Sequence, residues 1–90
     1  MMLTREGETL KVAGPMNIDS AAALLEQSKA MLGELKIVDL TGVTVVDSAA
    51  VSLLLEWRRQ VKGTTLRFTN LPAALKSLAE LYGVADLIPQ

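Results

Sequence analysis

The chain contains no cysteine and no histidine among its 90 residues. Without cysteine there are no disulfides and no thiolate nucleophile. Without histidine there is no side chain that ordinarily titrates near neutral pH, and nearly every transition-metal site is lost. A nucleophilic enzyme would have to rely on carboxylates, lysines and hydroxyls alone. Aromatic residues are scarce, at 3%, although hydrophobic residues make up 50% of the chain, so the core must be built from Leu, Val, Ile and Ala. Neither sign of charge dominates: nine Lys and Arg against ten Asp and Glu leave a net charge of -1. The cations are scattered, without the basic stripe that a phosphate backbone requires, which argues against nucleic acid. Apolar runs are too short to cross a bilayer, and the segment Met1 to Gly7 has no long apolar stretch after a basic start. These absences predict one small cytoplasmic domain, residues 1–90, with no cofactor or metal and no direct membrane insertion. Any association with a membrane would come through a partner.

What is present alternates between strand and helix patterns. Leu3 to Arg5 and Thr9 to Val12 flank Glu6-Gly7-Glu8 and read as a hairpin, with Leu10 and Val12 set apart by Lys11 at the period of a half-buried strand. Gly14-Pro15 is expected to break the second strand, and Asn17 or Asp19 to cap a helix that runs through Ala21-Ala22-Ala23-Leu24-Leu25 to about Leu32. Lys36 to Leu40 reads as a covered central strand, followed by a short turn at Thr41-Gly42. A second helix is expected from Ser48 to about Lys62 and a strand over Thr64 to Thr69. A third helix should start at Asn70-Leu71-Pro72 and stop at Gly83. This order predicts an α/β fold, a mixed sheet of about four strands with helices packed on one face.

At about 100° per residue, Ala50, Val51, Leu53, Leu54, Leu55, Trp57 and Val61 spread over roughly 200° of the second helix, about twice what packing on a sheet requires. Ala50, Leu54 and Val61 lie near the centre of that arc, with Leu53 and Trp57 at one edge. Trp57 therefore either folds down to close the rim of the core or stands in a polar rim as a partner anchor. Ser48 is similarly two-sided. Before Ala49-Ala50-Val51 it suits a helix N-cap, and it could equally carry a phosphate at the mouth of the helix.

The segment Ile37 to Leu55 combines a hydrophobic strand and Asp39-Leu40-Thr41 with Val46-Asp47-Ser48 leading into an Ala/Leu-rich helix. It resembles the signature of STAS domains, the family typified by the anti-sigma factor antagonists. The likeness extends over nearly the whole chain, from a Gly14-Pro15-Met16-Asn17 turn to a closing Leu78 to Pro89. It implies that Ser48 takes the place of a phosphoacceptor or of a hydroxyl contact essential to partner binding. With Leu53 and Trp57 from the edge of the apolar arc, the expected partner interface comprises Asp47, Ala49, Leu53, Trp57, Met16 and Asn17. The family usually has a small residue and then glycine after the hydroxyl, where this chain has Ala49-Ala50.

The short length and the ending Leu81 to Pro89 look most like the STAS subunit of Mla-type phospholipid-transport ABC complexes. That likeness implies a non-catalytic accessory subunit that docks on the ATPase subunit of the transporter. The alternative is an anti-sigma factor antagonist, whose affinity for an anti-sigma factor kinase is set by phosphorylation of Ser48. An enzyme built on Asp39, Asp47 and Ser48 would lack a base near neutral pKa and an identifiable oxyanion site.

Overall fold

Three helices cover one face of a four-stranded sheet in the computed structural model, which describes residues 2–90; Met1, at the head of the segment considered for a leader, lies outside the described residues. The strands β1 (Leu3–Glu6), β2 (Thr9–Met16), β3 (Ile37–Val46) and β4 (Arg67–Thr69) lie side by side in chain order. β1 and β2 form the antiparallel hairpin, turning at Gly7, whose φ of +60° suits glycine. β2–β3 and β3–β4 pair in parallel, and the crossovers between them carry the helices α1 (Ala21–Ser28) and α2 (Ser48–Gln60). The last helix is α3 (Ala73–Leu81). The mixed sheet with helices on one face is thus the architecture the sequence predicts.

The alternation along the strands decides which face is covered. Leu3, Leu10, Val12, Val38, Leu40 and Phe68 are buried in a single core with Leu24, Leu54 and Leu75 from the helices. Their neighbours Thr4, Lys11, Ala13 and Arg67 are exposed on the other face, as expected for a sheet covered on one side.

Two strands run further than the turn signals suggest. β2 continues through Gly14-Pro15 to Met16 because its partner β1 pairs only as far as Val12. Beyond that point the missing N–H of Pro15 disrupts no ladder to β1, and Gly14 takes φ +86° where the register with β3 shifts. β3 likewise absorbs Thr41-Gly42 in place of a turn. Gly42 lies so close to β2 that a Cβ there would stand 2.9 Å from the Ala13 Cβ and 3.1 Å from the Val12 carbonyl oxygen. β4 is shorter than expected, but its edge is covered, since the Phe68 N–H donates to the Pro89 carbonyl at 2.8 Å.

α1 ends at Ser28 and tightens into a 3-10 turn over Lys29–Met31. α3 begins immediately after Pro72 and ends before Gly83, whose φ is +69°. The Val84 N–H returns to the Ala79 carbonyl there, satisfying a free carbonyl of the last turn. No helix among the described residues is long and apolar enough to cross a membrane.

Candidate functional site

Met16 and Val46 pair at the ends of β2 and β3, so the next residues of each strand emerge together at one end of the sheet. One exit is the loop from Asn17 to Ser20; the other is Asp47-Ser48, opening α2. Asp47 holds the two together. It is extended, at φ -139° and ψ -168°, and its carboxylate accepts from the Ala49 N–H at 2.8 Å through Oδ1 and from the Ile18 N–H at 3.0 Å through Oδ2. The N-cap of α2 is therefore Asp47 and not Ser48. Each of its two oxygens serves one amide, so the one carboxylate bridges the helix and the loop.

Ser48 becomes the first helical residue, exposed, with no hydrogen bond to its hydroxyl from the rest of the described chain. Asn17 folds the facing loop, its Oδ1 accepting from the Asp19 and Ser20 N–H groups at 3.1 and 3.2 Å. Ser20 stands at the N-cap of α1 without capping it, its Oγ donating instead to the Pro15 carbonyl at 2.8 Å. Asp47, Ser48, Ala49 and Asn17 thus share one end of the domain.

Three residues assigned to the partner interface lie in the core instead. Trp57 is 0% exposed, and its Nε1 donates to the Ser28 Oγ at 2.7 Å. Ser28 is the one buried polar residue of the described chain, and its hydroxyl in turn donates to the Leu25 carbonyl at 2.8 Å. Leu53 and Met16 are buried as well. Most of the wide apolar arc of α2 is used because this helix packs between α1 and α3 as well as on the sheet; Leu55, half-buried, is left over and faces the groove beside Ser48. Asp39 is also remote from Ser48. It lies eight residues before Asp47 on β3, on the order of 25 Å along an extended strand. There it accepts from the Thr41 hydroxyl and from the Asn70 amide at 3.0 Å, contacts that hold its carboxyl below the usual carboxylate range.

Beside Ser48 runs an open groove of about 830 Å³. Its walls are Ile18, Ala21, Ala22 and Leu25 on one side and Tyr82 and Val84 on the other, with the face of α2 from Ser48 to Glu56 between them. Leu53 reaches it only as part of the floor. Ile18 is 76% exposed and Tyr82 52%. Neither was singled out by sequence. Ile18 carried a signal, an apolar side chain between the loop formers Asn17 and Asp19. Tyr82 did not, since its helical phase is that of the buried Leu75 and Ala79; it stands at the C-cap, past the end of α3, and is exposed there. Glu56 is the charged residue of the lining; Arg59 and Gln60 donate to its carboxylate and hold its pKa down.

The family model described as "Mlab, STAS domain" matches residues 1–89. No curated protein matches the sequence. Among solved structures, the "Crystal Structure Analysis of Mglu" superposes with a TM-score of 0.58 at 18% identity over 79% of this chain, which spans only 19% of that chain. The anti-sigma factor antagonist SpoIIAA in its unphosphorylated form gives a TM-score of 0.57 at 15% identity, over 83% of this chain and 77% of that one. At such identities the likeness is one of fold.

Proposed function

The chain belongs to the STAS domain family, and from that premise we propose that it is a non-catalytic accessory subunit. In this reading it binds the ATPase subunit of a Mla-type phospholipid-transport ABC complex and supports its assembly and activity. The contact surface is the end of the domain where Ser48, Ala49, Asp47 and Asn17 meet the groove. The observation that carries the reading is the division of labour at α2: Asp47 does the capping, so the exposed Ser48 hydroxyl has no structural duty and is available to a partner. The description of the matching family model, over almost the whole chain, favours the Mla type. A cytoplasmic location at the membrane, through the partner, follows from this assignment.

The anti-sigma factor antagonist is the second reading, favoured by the fold shared with SpoIIAA and by the same free hydroxyl. A phosphate on Ser48 would gain from the helix N-terminus by up to about 1 kcal/mol when exposed. It would also stand beside the Asp47 carboxylate and lose hydration in a complex, so binding would weaken unless the partner supplied a cation. A gene for an ATPase and permease nearby, or for a serine kinase and sigma factor, separates the two readings.

Calorimetric titration of the ATPase subunit with Ser48 variants tests the site, with circular dichroism to confirm folding. Ser48→Thr keeps the hydroxyl and should bind; Ser48→Glu should fold but bind weakly or not at all. Ser48→Ala should lose affinity for an ATPase that needs the hydroxyl, whereas an unphosphorylatable antagonist would stay bound to its anti-sigma partner. Binding of Ser48→Glu as tight as that of the parent would remove Ser48 from the interface.

A further inference from the structure

Two hydrogen bonds tie α1 to α2, and the residues of each pair lie 29 apart: Ile18 donates to Asp47 at the entry to the two helices, and Trp57 donates to Ser28 near their exit. The common offset means that the helices run parallel in one register, with α1 held between the two contacts. We propose that α1 is a movable wall of the groove, a unit that opens while the rest of the domain stays folded, and that the Ser28–Trp57 bond is its latch. The proposal goes beyond the accessory-subunit reading and does not depend on it.

Little else holds α1. It is eight residues long, short of the roughly 12–15 residues at which even alanine-rich helices become marginally stable alone. No side chain caps its N-terminus, since the Ser20 hydroxyl donates to the Pro15 carbonyl. No acidic residue in its first turn or basic residue in its last complements the helix dipole. Its buried residues are Leu24 and Ser28, against five on α2. Beyond Ser28 the chain is anchored again, where Arg5 donates to the Met31 and Gly33 carbonyls at 2.8 and 2.6 Å and Leu35 is buried. The loosely held stretch is therefore bounded on both sides.

Ser28 and Trp57 are both sealed from solvent, so neither can exchange its partner for water while α1 stays in place, and breaking their bond there would orphan the indole donor. Lifting α1 is the route that frees the indole N–H at least cost. Ala21, Ala22 and Leu25 line the groove and leave with α1, whereas Ser48 stays on α2 behind its Asp47 cap. This wall of the groove exists only with the latch closed.

One tryptophan gives one indole resonance, so the latch is read in the unaltered chain. In native-state hydrogen exchange followed by NMR at low urea, the Trp57 indole N–H and the Leu24 and Leu25 amides should share one protection factor. It should lie at least tenfold below those of the Val38 and Leu54 amides and be nearly independent of urea. The bond is absent from the opened and the unfolded chain alike. Ser28→Ala should therefore lower the protection of the Leu24, Leu25, Val38 and Leu54 amides by one common factor, about tenfold. An indole N–H as protected as the Leu54 amide would overturn the proposal, because α1 would then leave only on global unfolding. So would a Ser28→Ala protein in which Val38 and Leu54 lose protection while Leu24 and Leu25 do not, since α1 would then open with the bond intact. Either result leaves the accessory-subunit reading as it stands.

Discussion

Replacing Trp57 separates a core residue from an interface anchor. The side chain is fully buried between α1 and α2, and Trp57→Ala would open a cavity there, break the bond to Ser28 and cost about 3–5 kcal/mol. A 90-residue domain has a total stability of roughly 5–13 kcal/mol, so the variant should be marginal. Its thermal midpoint should fall by roughly 12–40 °C. Trp57→Phe keeps one aromatic ring but removes the indole N–H and three ring atoms, leaving a small void at a fully buried site. Ser28 keeps its bond to the Leu25 carbonyl, so the loss should be about 1–3 kcal/mol, smaller than for alanine. Urea unfolding followed by far-ultraviolet circular dichroism measures both, because the variants have no tryptophan to report by fluorescence. Leu54→Ala, at another fully buried position on α2, should lose about 2–5 kcal/mol and calibrates the scale. The folded Trp57→Phe protein should bind its partner as the parent does. A Trp57→Ala protein with an unchanged urea midpoint and lost binding would refute the reasoning and return Trp57 to the surface.

Gly42→Ala should destabilise the domain by about 1–3 kcal/mol, since the new methyl meets the Ala13 Cβ and the Val12 carbonyl oxygen across β2–β3. Adding Ala13→Gly should recover part of that loss in the same urea assay, and no recovery would point to the backbone carbonyl as the whole obstacle. The Asp39 pKa is lowered in the folded state by the Thr41 hydroxyl and the Asn70 amide, so its stabilising contribution is complete above the unfolded value of about 3.9. It fades as pH falls through that value toward the folded one. Thermal midpoints recorded from pH 5 downward should drop less steeply for Asp39→Asn than for the parent, and equal slopes would remove Asp39 from the acid response.

The element order was legible because each helix and strand carries its own period and its own punctuation. Pro72 and Gly83 bracket α3 within a residue or two, and Glu6-Gly7-Glu8 places the hairpin turn. The strand ends were not legible, for a reason that lies between strands. Gly14-Pro15 and Thr41-Gly42 are turn formers in isolation. Side by side in β2 and β3, one residue loses no ladder partner at Pro15 and another provides room for a neighbouring backbone at Gly42. The excess width of the apolar arc on α2 had a similar cause. A helical wheel counts one sheet as the covering surface, whereas α2 is also flanked by two helices, which take most of the surplus and leave Leu55 facing the groove.

The candidate site was half legible, and the missing half concerns which residue of a pair does which work. Asp47-Ser48 before an alanine-rich helix offers two capping side chains, and sequence order does not decide between them. The loop that decides is 29 residues earlier: Asp47 also holds the Ile18 amide, one carboxylate oxygen on the loop and the other on the helix. Once Asp47 is committed, the Ser48 hydroxyl can be methylated, phosphorylated or removed without disturbing a bond that holds the fold. The same commitment fixes Ile18 at the lip of the groove beside it. A single carboxylate therefore leaves the Ser48 hydroxyl free and positions Ile18 beside it, so in the proposed contact surface Asp47 is the positioning residue and Ser48 the candidate contact.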